Sequence, residues 1–452
     1  MKERGQALLA LIALLGLVMT ITLFTFLSPS QTRIKAEAET QKIMVEAKNA
    51  LIGFAATRGY DPSRPGSRPG QLPCPDTNND GLAEAPNSTG CPSGNIGRLP
   101  WKTLGIDDIR DDAGERLWYA IDPDFAREST ACCFDNDTRG MLTVYQGTKA
   151  TKITSEAAAI IFAPGPPLGG QNRDLANQNN PASYLDTTDT VNNAAGTQTP
   201  PPSPLVLTFI AAQNSDTLPP SPPPSPFNDR LMIVYAPDIW TVVEMRVARE
   251  MLKYLQRFKL NSDCNCYPWA ANFFDDDGVA NRRHGGVPIE EANVGGDDEW
   301  GGDGNGPLGS KKIPDPSAAG EAPWMVNNNE WGKQFYYAIA DRVKPGGNPA
   351  STSLFVDGVA KDLVIITPGP TGAICREYTD PATYTPPHPP SIGCQTGYRS
   401  NSRQLNLYIE VVPGAAVLDE NRNLNDTFIT TSPAQGYARD RVYFCPGTPG
   451  IC

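Results

Sequence analysis

The chain has little of the material that common enzymes use for catalysis. It contains only two histidines, His284 and His388, which leaves almost nothing for a histidine base or a multi-histidine metal site. It has no G-x-S-x-G, H-E-x-x-H or phosphate-loop motif. Paired carboxylates occur, but they lie in acidic loops, where such groups are usually solvated. We therefore expect a protein that is not an enzyme.

Positive charge is also scarce. The net charge is −12, the isoelectric point is near 4.8, and no basic patch interrupts the negative charge along the 452 residues. We expect such a chain to repel nucleic acid. Apolar residues make up only 39 %, while glycine and proline number 41 and 44. This composition argues against a helical bundle or coiled coil and favours short strands joined by long loops.

Cys-x-x-Cys pairs are absent, which argues against zinc-ribbon and thioredoxin-like sites. The ten cysteines favour disulfide bonds in an oxidising compartment. Six of them are candidates for local bonds, because each pair closes a short loop: Cys74 with Cys91, Cys375 with Cys394, and Cys445 with Cys452. The pairing of the other four stays open, and a link between two parts of the chain is one alternative: Cys132, Cys133, Cys264 and Cys266.

The N-terminal region has the longest apolar run. Residues 6–27 contain 22 successive positions without a charge, enough to cross a bilayer as one helix. No small-residue cleavage site follows, so the pattern predicts a retained transmembrane helix rather than a removed signal peptide. Lys2 and Arg4 place the N-terminus in the cytoplasm and the rest of the chain outside it. Residues 28–57 then predict an amphipathic extension, with apolar side chains at helical spacing: Met44, Ala47, Leu51, Phe54 and Ala55.

A short basic leader, residues 1–5, ends in Gly5 and runs directly into this apolar stretch. The pattern resembles the class III leader of type IV pilins and type II secretion pseudopilins, over residues 1–57. The resemblance implies cleavage by a prepilin peptidase after Gly5, a mature chain that begins at Gln6, and packing of the N-terminal helix against other pilins or pseudopilins. It also implies a single-pass protein of the bacterial inner membrane, with its head outside the cytoplasm.

Two positions depart from the pilin pattern. Gln6 stands where phenylalanine is usual, and Ala10 stands where a glutamate that pairs with the neighbouring subunit is usual. The large tip pseudopilin and some minor pilins also lack this glutamate. The departure therefore implies a minor or tip component rather than a bulk filament subunit.

The rest of the chain contains what reads as the same unit twice. Matching segments follow in one order, at offsets between 197 and 219 residues. Three matches are GERLWYAI at 114–121 with WGKQFYYAI at 331–339, AAIIFAPGPP at 158–167 with DLVIITPGPT at 362–371, and NDRLMIVY at 228–235 with RDRVYF at 439–444. Each copy reads as a helix, a long Pro/Gly-rich loop and apolar strands. We therefore predict an α+β fold with two tandem, pilin-like antiparallel-sheet units, 58–237 and 238–452.

One loop of the first copy has the start of a calcium-binding pattern. Asp76, Asn78, Asp80 and Glu84 form D-x-N-x-D-G-x-x-E, with oxygen ligands at the first, third and fifth positions and Gly81 at the sharp turn. The twelfth position is an asparagine, so the loop is not a full EF-hand. It is either a calcium-stabilised loop or a polar turn.

The function expected from these patterns is that of a non-catalytic minor or tip component of a type IV pilus or pseudopilus, supporting filament assembly, adhesion or secretion. Its expected partners are the prepilin peptidase, other pilins or pseudopilins and the inner membrane. One alternative is a single-pass, membrane-anchored surface binding protein outside any filament. The other is an anchored hydrolase, which needs two carboxylates with separated pKa values in one cleft.

Overall fold

The computed structural model describes most of the first half of the chain and the strands of the second half. The described residues are 13–19, 29–59, 64, 66–128, 134, 136, 138–146, 151–187, 192–195, 197–198, 207–211, 227–261, 264–270, 283–287, 331, 335–367, 427–428 and 441–446.

The prediction of a transmembrane helix over 6–27 is wrong, and with it the inner-membrane localisation. Over the described parts of the chain, no helix is both long and apolar enough to cross a membrane. Of the predicted range, the structure describes residues 13–19, which are helical (α1). The remainder of 6–27 lies outside the described residues, as does the leader 1–5.

Two long helices organise the fold. α2 (Pro29–Thr57) covers the stretch for which an amphipathic helix is predicted, and α5 (Ala236–Asn261) begins directly after a strand of the first sheet. The two helices pack against each other. Arg246 of α5 donates hydrogen bonds to the carbonyl oxygens of Ala56 and Arg58, at 2.7 and 2.6 Å. This side chain therefore satisfies carbonyls at the C-terminal end of α2.

The first sheet has seven strands: β1 (Ile96–Arg98), β2 (Trp118–Ile121), β3 (Leu142–Gln146), β4 (Thr151–Ala163), β5 (Thr197–Gln198), β6 (Leu207–Ala211) and β7 (Arg230–Tyr235). Their order is β1-β2-β4-β3-β6-β5, with β7 paired to β4. β3 and β6 run parallel, and the other pairs are antiparallel. Two four-residue helices, α3 (Trp101–Leu104) and α4 (Pro123–Ala126), flank β2.

The strands of the second sheet are β8 (His284–Gly286), β9 (Tyr336–Ile339), β10 (Leu354–Val356), β11 (Val359–Thr367), β12 (Thr427–Phe428) and β13 (Arg441–Pro446). They repeat the order of the first sheet as β8-β9-β11-β10-β12, with β13 paired to β11. The parallel pair is also repeated, here between β10 and β12. The helices and sheets are consistent with the α+β class, but the expected antiparallel sheets are wrong, because both sheets are mixed. Parallel neighbours need a long connection, and in the first sheet the chain passes through β4 and β5 between the parallel strands β3 and β6.

The register of the two sheets matches the sequence repeat. Tyr119 pairs with Ile161 in the first sheet, and Tyr337 pairs with Ile365 in the second. These are the positions that the matches WYAI/YYAI and AIIFA/LVIIT align. The shared topology and register support the predicted duplication.

Both units share one hydrophobic core, and α5 lies within it. This helix contacts strands of both sheets, β4 and β7 of the first and β11 and β13 of the second. Its Trp240 is fully buried, with ring centroids 5.1 Å from Phe134, 5.8 Å from Phe125 and 5.9 Å from Trp331 of the second unit. The aromatic cluster therefore joins the two copies across α5.

Candidate functional site

The predicted calcium loop is built around the carboxylate of Asp76, which is buried at 1 % exposure. Its Oδ1 accepts the backbone N–H groups of Asn78 and Asn79, at 3.1 and 2.6 Å, and its Oδ2 accepts that of Gly81 at 2.7 Å. Burial raises the pKa of Asp76, and these three hydrogen bonds oppose that effect. The carboxylate therefore organises the turn from inside.

The other predicted ligands have partners of their own. Asn78 accepts from the N–H of Asp80 at 2.9 Å, and Asp80 accepts from that of Leu82 at 2.7 Å. The hydroxyl of Thr77 donates to Glu84 at 2.9 Å. Within the described ranges, no group of three or more His, Cys, Asp or Glu side chains is placed to hold a metal ion. The observed bonds are those of a polar turn, and the calcium site stays a prediction.

The loop rests on the short helix α3. Gly81 has φ of +86°, a conformation that glycine adopts without strain, and a Cβ there would lie 2.7 Å from the Trp101 ring. Lys102 donates from its Nζ to the carbonyl oxygen of Asp80, and the N–H of Ala83 donates to Thr103 at 2.8 Å. Only glycine therefore fits where the loop meets the indole.

The disulfide predicted beside this loop is confirmed. Cys74 and Cys91 are bonded, with their Cα atoms 5.5 Å apart. Cys264 is bonded to Cys266, two residues along, and not to the other unit. The remaining candidates are not tested: Cys445 lies in β13 with no described side chain, and outside the described residues lie Cys132, Cys133, Cys375, Cys394 and Cys452, together with the processing residues Gly5 and Gln6.

A cleft of about 840 Å³ opens beside the loop, and Asn79 lines both. Its walls carry four guanidinium groups, those of Arg98, Arg110, Arg116 and Arg173. Its other lining residues are Glu115, Asp174, Leu175, Ala176, Gln178 and Tyr184. The chain as a whole has a charge of −12, so this local concentration of cations is unusual for it.

Three of the four guanidinium groups are paired with carboxylates. Arg116 makes two hydrogen bonds to Asp108, at 2.7 and 2.9 Å, and Arg110 adds a third at 2.8 Å. Partial burial raises the pKa of Asp108, but the hydrogen bonds from these two arginines outweigh it and lower the pKa. Arg173 lies 3.2 Å from Glu115.

Arg98 is different, because among the described residues no carboxylate lies within ion-pair distance of it. It is 4 % exposed, and its guanidinium carbon lies 4.3 Å from the ring centroid of Trp118 and 4.1 Å from that of Tyr184. It donates to the carbonyl oxygens of Arg116 and Gln178, at 3.0 and 3.1 Å. Burial lowers the pKa of Arg98 to about 10, so the group keeps its charge at neutral pH.

Sequence reasoning missed this cleft, because its arginines come from separate segments. Arg98 ends β1, Arg110 and Arg116 precede β2, and Arg173 lies in the connection after β4. The sequence repeat did contain one sign of the cleft. Arg98 in β1 and Gly286 in β8 occupy equivalent positions of the two copies. A charged residue in one copy and a glycine in the other indicates a feature specific to the first unit.

Comparisons with known protein families, curated proteins and solved structures find no match to this chain. The resemblance to type IV pilins therefore rests on residues 1–57 alone. The interpretation of the cleft rests on its own geometry.

Proposed function

We propose that the protein is a non-catalytic minor or tip component of a type IV pilus or pseudopilus. The observation that carries the proposal is the division of α2 into two parts. From Thr40 onward the helix has a buried face that packs in the head, whereas residues 34–39 are mostly exposed. A long helix whose C-terminal part packs in an α+β head and whose N-terminal part contacts other helices is the pilin arrangement.

In this role the head supplies contact surface rather than chemistry. The two sheet units and the core around α5 form one body, and the mostly exposed residues 34–39 of α2 are the part of that helix that we propose contacts helices of other pilins or pseudopilins. The prepilin peptidase is the processing partner, acting between Gly5 and Gln6. A large head of two units suits a tip or minor position, because it hinders the side-by-side stacking of many copies.

The proposal is tested by determining the N-terminus of the protein by mass spectrometry, in cells with and without a prepilin peptidase. We expect a mature chain that begins at Gln6 only when the peptidase is present. A Gly5→Leu variant is the matched control, and it should keep residues 1–5 in both strains. Retention of Met1 to Gly5 by the unaltered chain in both strains would remove the support for a filament role.

A surface binding protein outside any filament is the second candidate, and the cleft of the first unit favours it. The hydrolase alternative has less support, because one neighbouring pair of carboxyl groups in the described part of the chain is closed to solvent. Asp186 and Asp229 are only 4 % and 0 % exposed, and both are hydrogen-bonded to backbone N–H groups.

A further inference from the structure

Of the four guanidinium groups of the cleft, three are ion-paired with carboxylates, and the fourth has no such partner among the described residues. Asp108 bridges Arg110 and Arg116, Glu115 pairs with Arg173, and Asp174 also lines the wall. Arg98 is the guanidinium group without a carboxylate partner among the described residues. A buried, unpaired charge is costly, so this arrangement stabilises an added anion.

Arg98 also retains hydrogen-bonding capacity. A guanidinium has five N–H donors, and two of those of Arg98 are used by backbone carbonyls. Its Nε, buried in the structure, has no acceptor. The stacking between Trp118 and Tyr184 holds the planar group in one orientation. A rigid guanidinium of this kind suits a planar, two-oxygen partner better than a point charge does.

We propose that the cleft lined by Arg98, Arg110 and Arg116 binds a small molecule that carries one carboxylate. A single guanidinium without a carboxylate partner favours a monoanion over a phosphate, which carries more than one negative charge at neutral pH. The volume of about 840 Å³ is within the range of small-molecule sites. Asn79 and Gln178, whose side-chain amides are hydrogen-bonded to each other at 3.2 Å, add further polar groups to the wall. This inference does not rest on the filament role.

The second unit serves as an internal comparison. Gly286 occupies the position of Arg98, so the described part of that unit lacks the central cation. Arg342 there is paired with Asp362 at 2.6 Å. The proposed site therefore belongs to the first copy.

Isothermal titration calorimetry of the whole chain with sodium glucuronate tests the proposal, with glucose as the neutral analogue. We expect glucuronate to bind and glucose not to bind. Arg98→Lys keeps the charge but loses the planar fork, and it should weaken binding about tenfold or more. Arg110→Ala removes a cation that is 45 % exposed and should weaken binding by a smaller factor. Arg139→Ala, a surface arginine that does not line the cleft, should bind like the unaltered protein.

A second arm distinguishes the source of the carboxylate. A tripeptide with a free C-terminal carboxylate is compared with its amidated form. If only the tripeptide with the free carboxylate binds, the proposed carboxylate site is supported, and its ligand is the C-terminus of a peptide chain. The proposal is overturned if neither carboxylate probe binds, if glucose binds equally well, or if Arg110→Ala and a folded Arg98→Lys both bind like the unaltered protein. Circular dichroism establishes folding, and Arg110→Ala carries the test if Arg98→Lys does not fold.

Discussion

At the residue scale, Asp229 shows what burial does to a carboxyl group. It is fully buried just before β7, and its Oδ2 accepts from the N–H of Asp186 at 2.8 Å and from Asn193 at 2.9 Å. Asp186 in turn accepts from the N–H of Asp229 at 2.9 Å. This reciprocal pair ties the connection after β4 to the start of β7. The burial and then the nearby charge of Asp186 raise the pKa of Asp229 well above its ordinary value.

We predict that the unaltered protein loses stability as pH rises because of Asp229, and that the Asp229→Asn variant does not show this loss. Because the pKa is raised in the folded state, that state holds the proton at pH values where the unfolded chain has released it. The free energy of unfolding therefore falls from about pH 4, the unfolded pKa, up to the folded pKa. The stability of the variant relative to the unaltered protein should increase over that window, measured as melting temperature by circular dichroism.

Asp107→Asn is the control for this substitution, because Asp107 is an exposed carboxylate in the same unit. If the Asp229→Asn variant follows the pH profile of the unaltered protein, the carboxyl group does not hold its proton in the folded state. The reciprocal hydrogen bonds between Asp186 and Asp229 would then involve two ionised carboxylates that accept from backbone N–H groups.

At the element scale, the helices and the central strands are the parts that local pattern predicts well. Met44, Ala47 and Leu51 lie on the buried face of α2, as their spacing predicts. The apolar runs at 158–163 and 363–367 lie in the buried parts of β4 and β11. The parallel pair of each sheet was not predictable, since an apolar run shows that a strand exists but not the direction of its neighbour.

We predict that Leu255→Ala in α5 lowers the free energy of unfolding by about 2–5 kcal/mol, because it leaves a cavity in the shared core. Leu255 is fully buried, whereas Leu260 on the same helix is 78 % exposed. Leu260→Ala is therefore the matched control, with an expected change within about 0.5 kcal/mol. Urea unfolding followed by circular dichroism measures both. Similar losses for the two variants would mean that α5 is not packed as the structure shows.

At the scale of the whole molecule, the two copies behave as one body because α5 belongs to both. The predicted boundary at 238 separates two units in sequence, yet α5 begins at Ala236 and contacts both sheets. Buried residues of both units form one cluster, including Tyr119 of the first sheet and Tyr337 of the second. A perturbation in one unit is therefore expected to reach the other.

We predict that Trp331→Ala, in the second unit, increases amide hydrogen exchange in β4 of the first unit. Trp331 is fully buried against Trp240, so its loss loosens the aromatic cluster that both copies share. Phe355→Ala is the control, because Phe355 is in the second sheet but 40 % exposed. Exchange measured by mass spectrometry on peptides from 151–163 decides the question. Changes confined to 335–367 would show that the copies unfold independently.

By itself, the sequence determined the features that depend on neighbours along the chain. The buried face of α2, the paired strands of the repeat and the bond between Cys74 and Cys91 all follow from spacing and local residue type. The transmembrane prediction over 6–27 came from the same kind of reasoning and is wrong, because no helix in the described part of the chain is both long and apolar enough to cross a membrane.

Only the tertiary structure decided the arginine-lined cleft and the shared core. Arg98 and Arg173 are 75 positions apart in the chain, and nothing local to either indicates that both lie against Tyr184. Likewise, nothing in the helix α5 alone shows that it packs on two sheets. Contacts of this kind form when distant segments are brought together by burial of apolar surface, and the sequence of any one segment does not contain them.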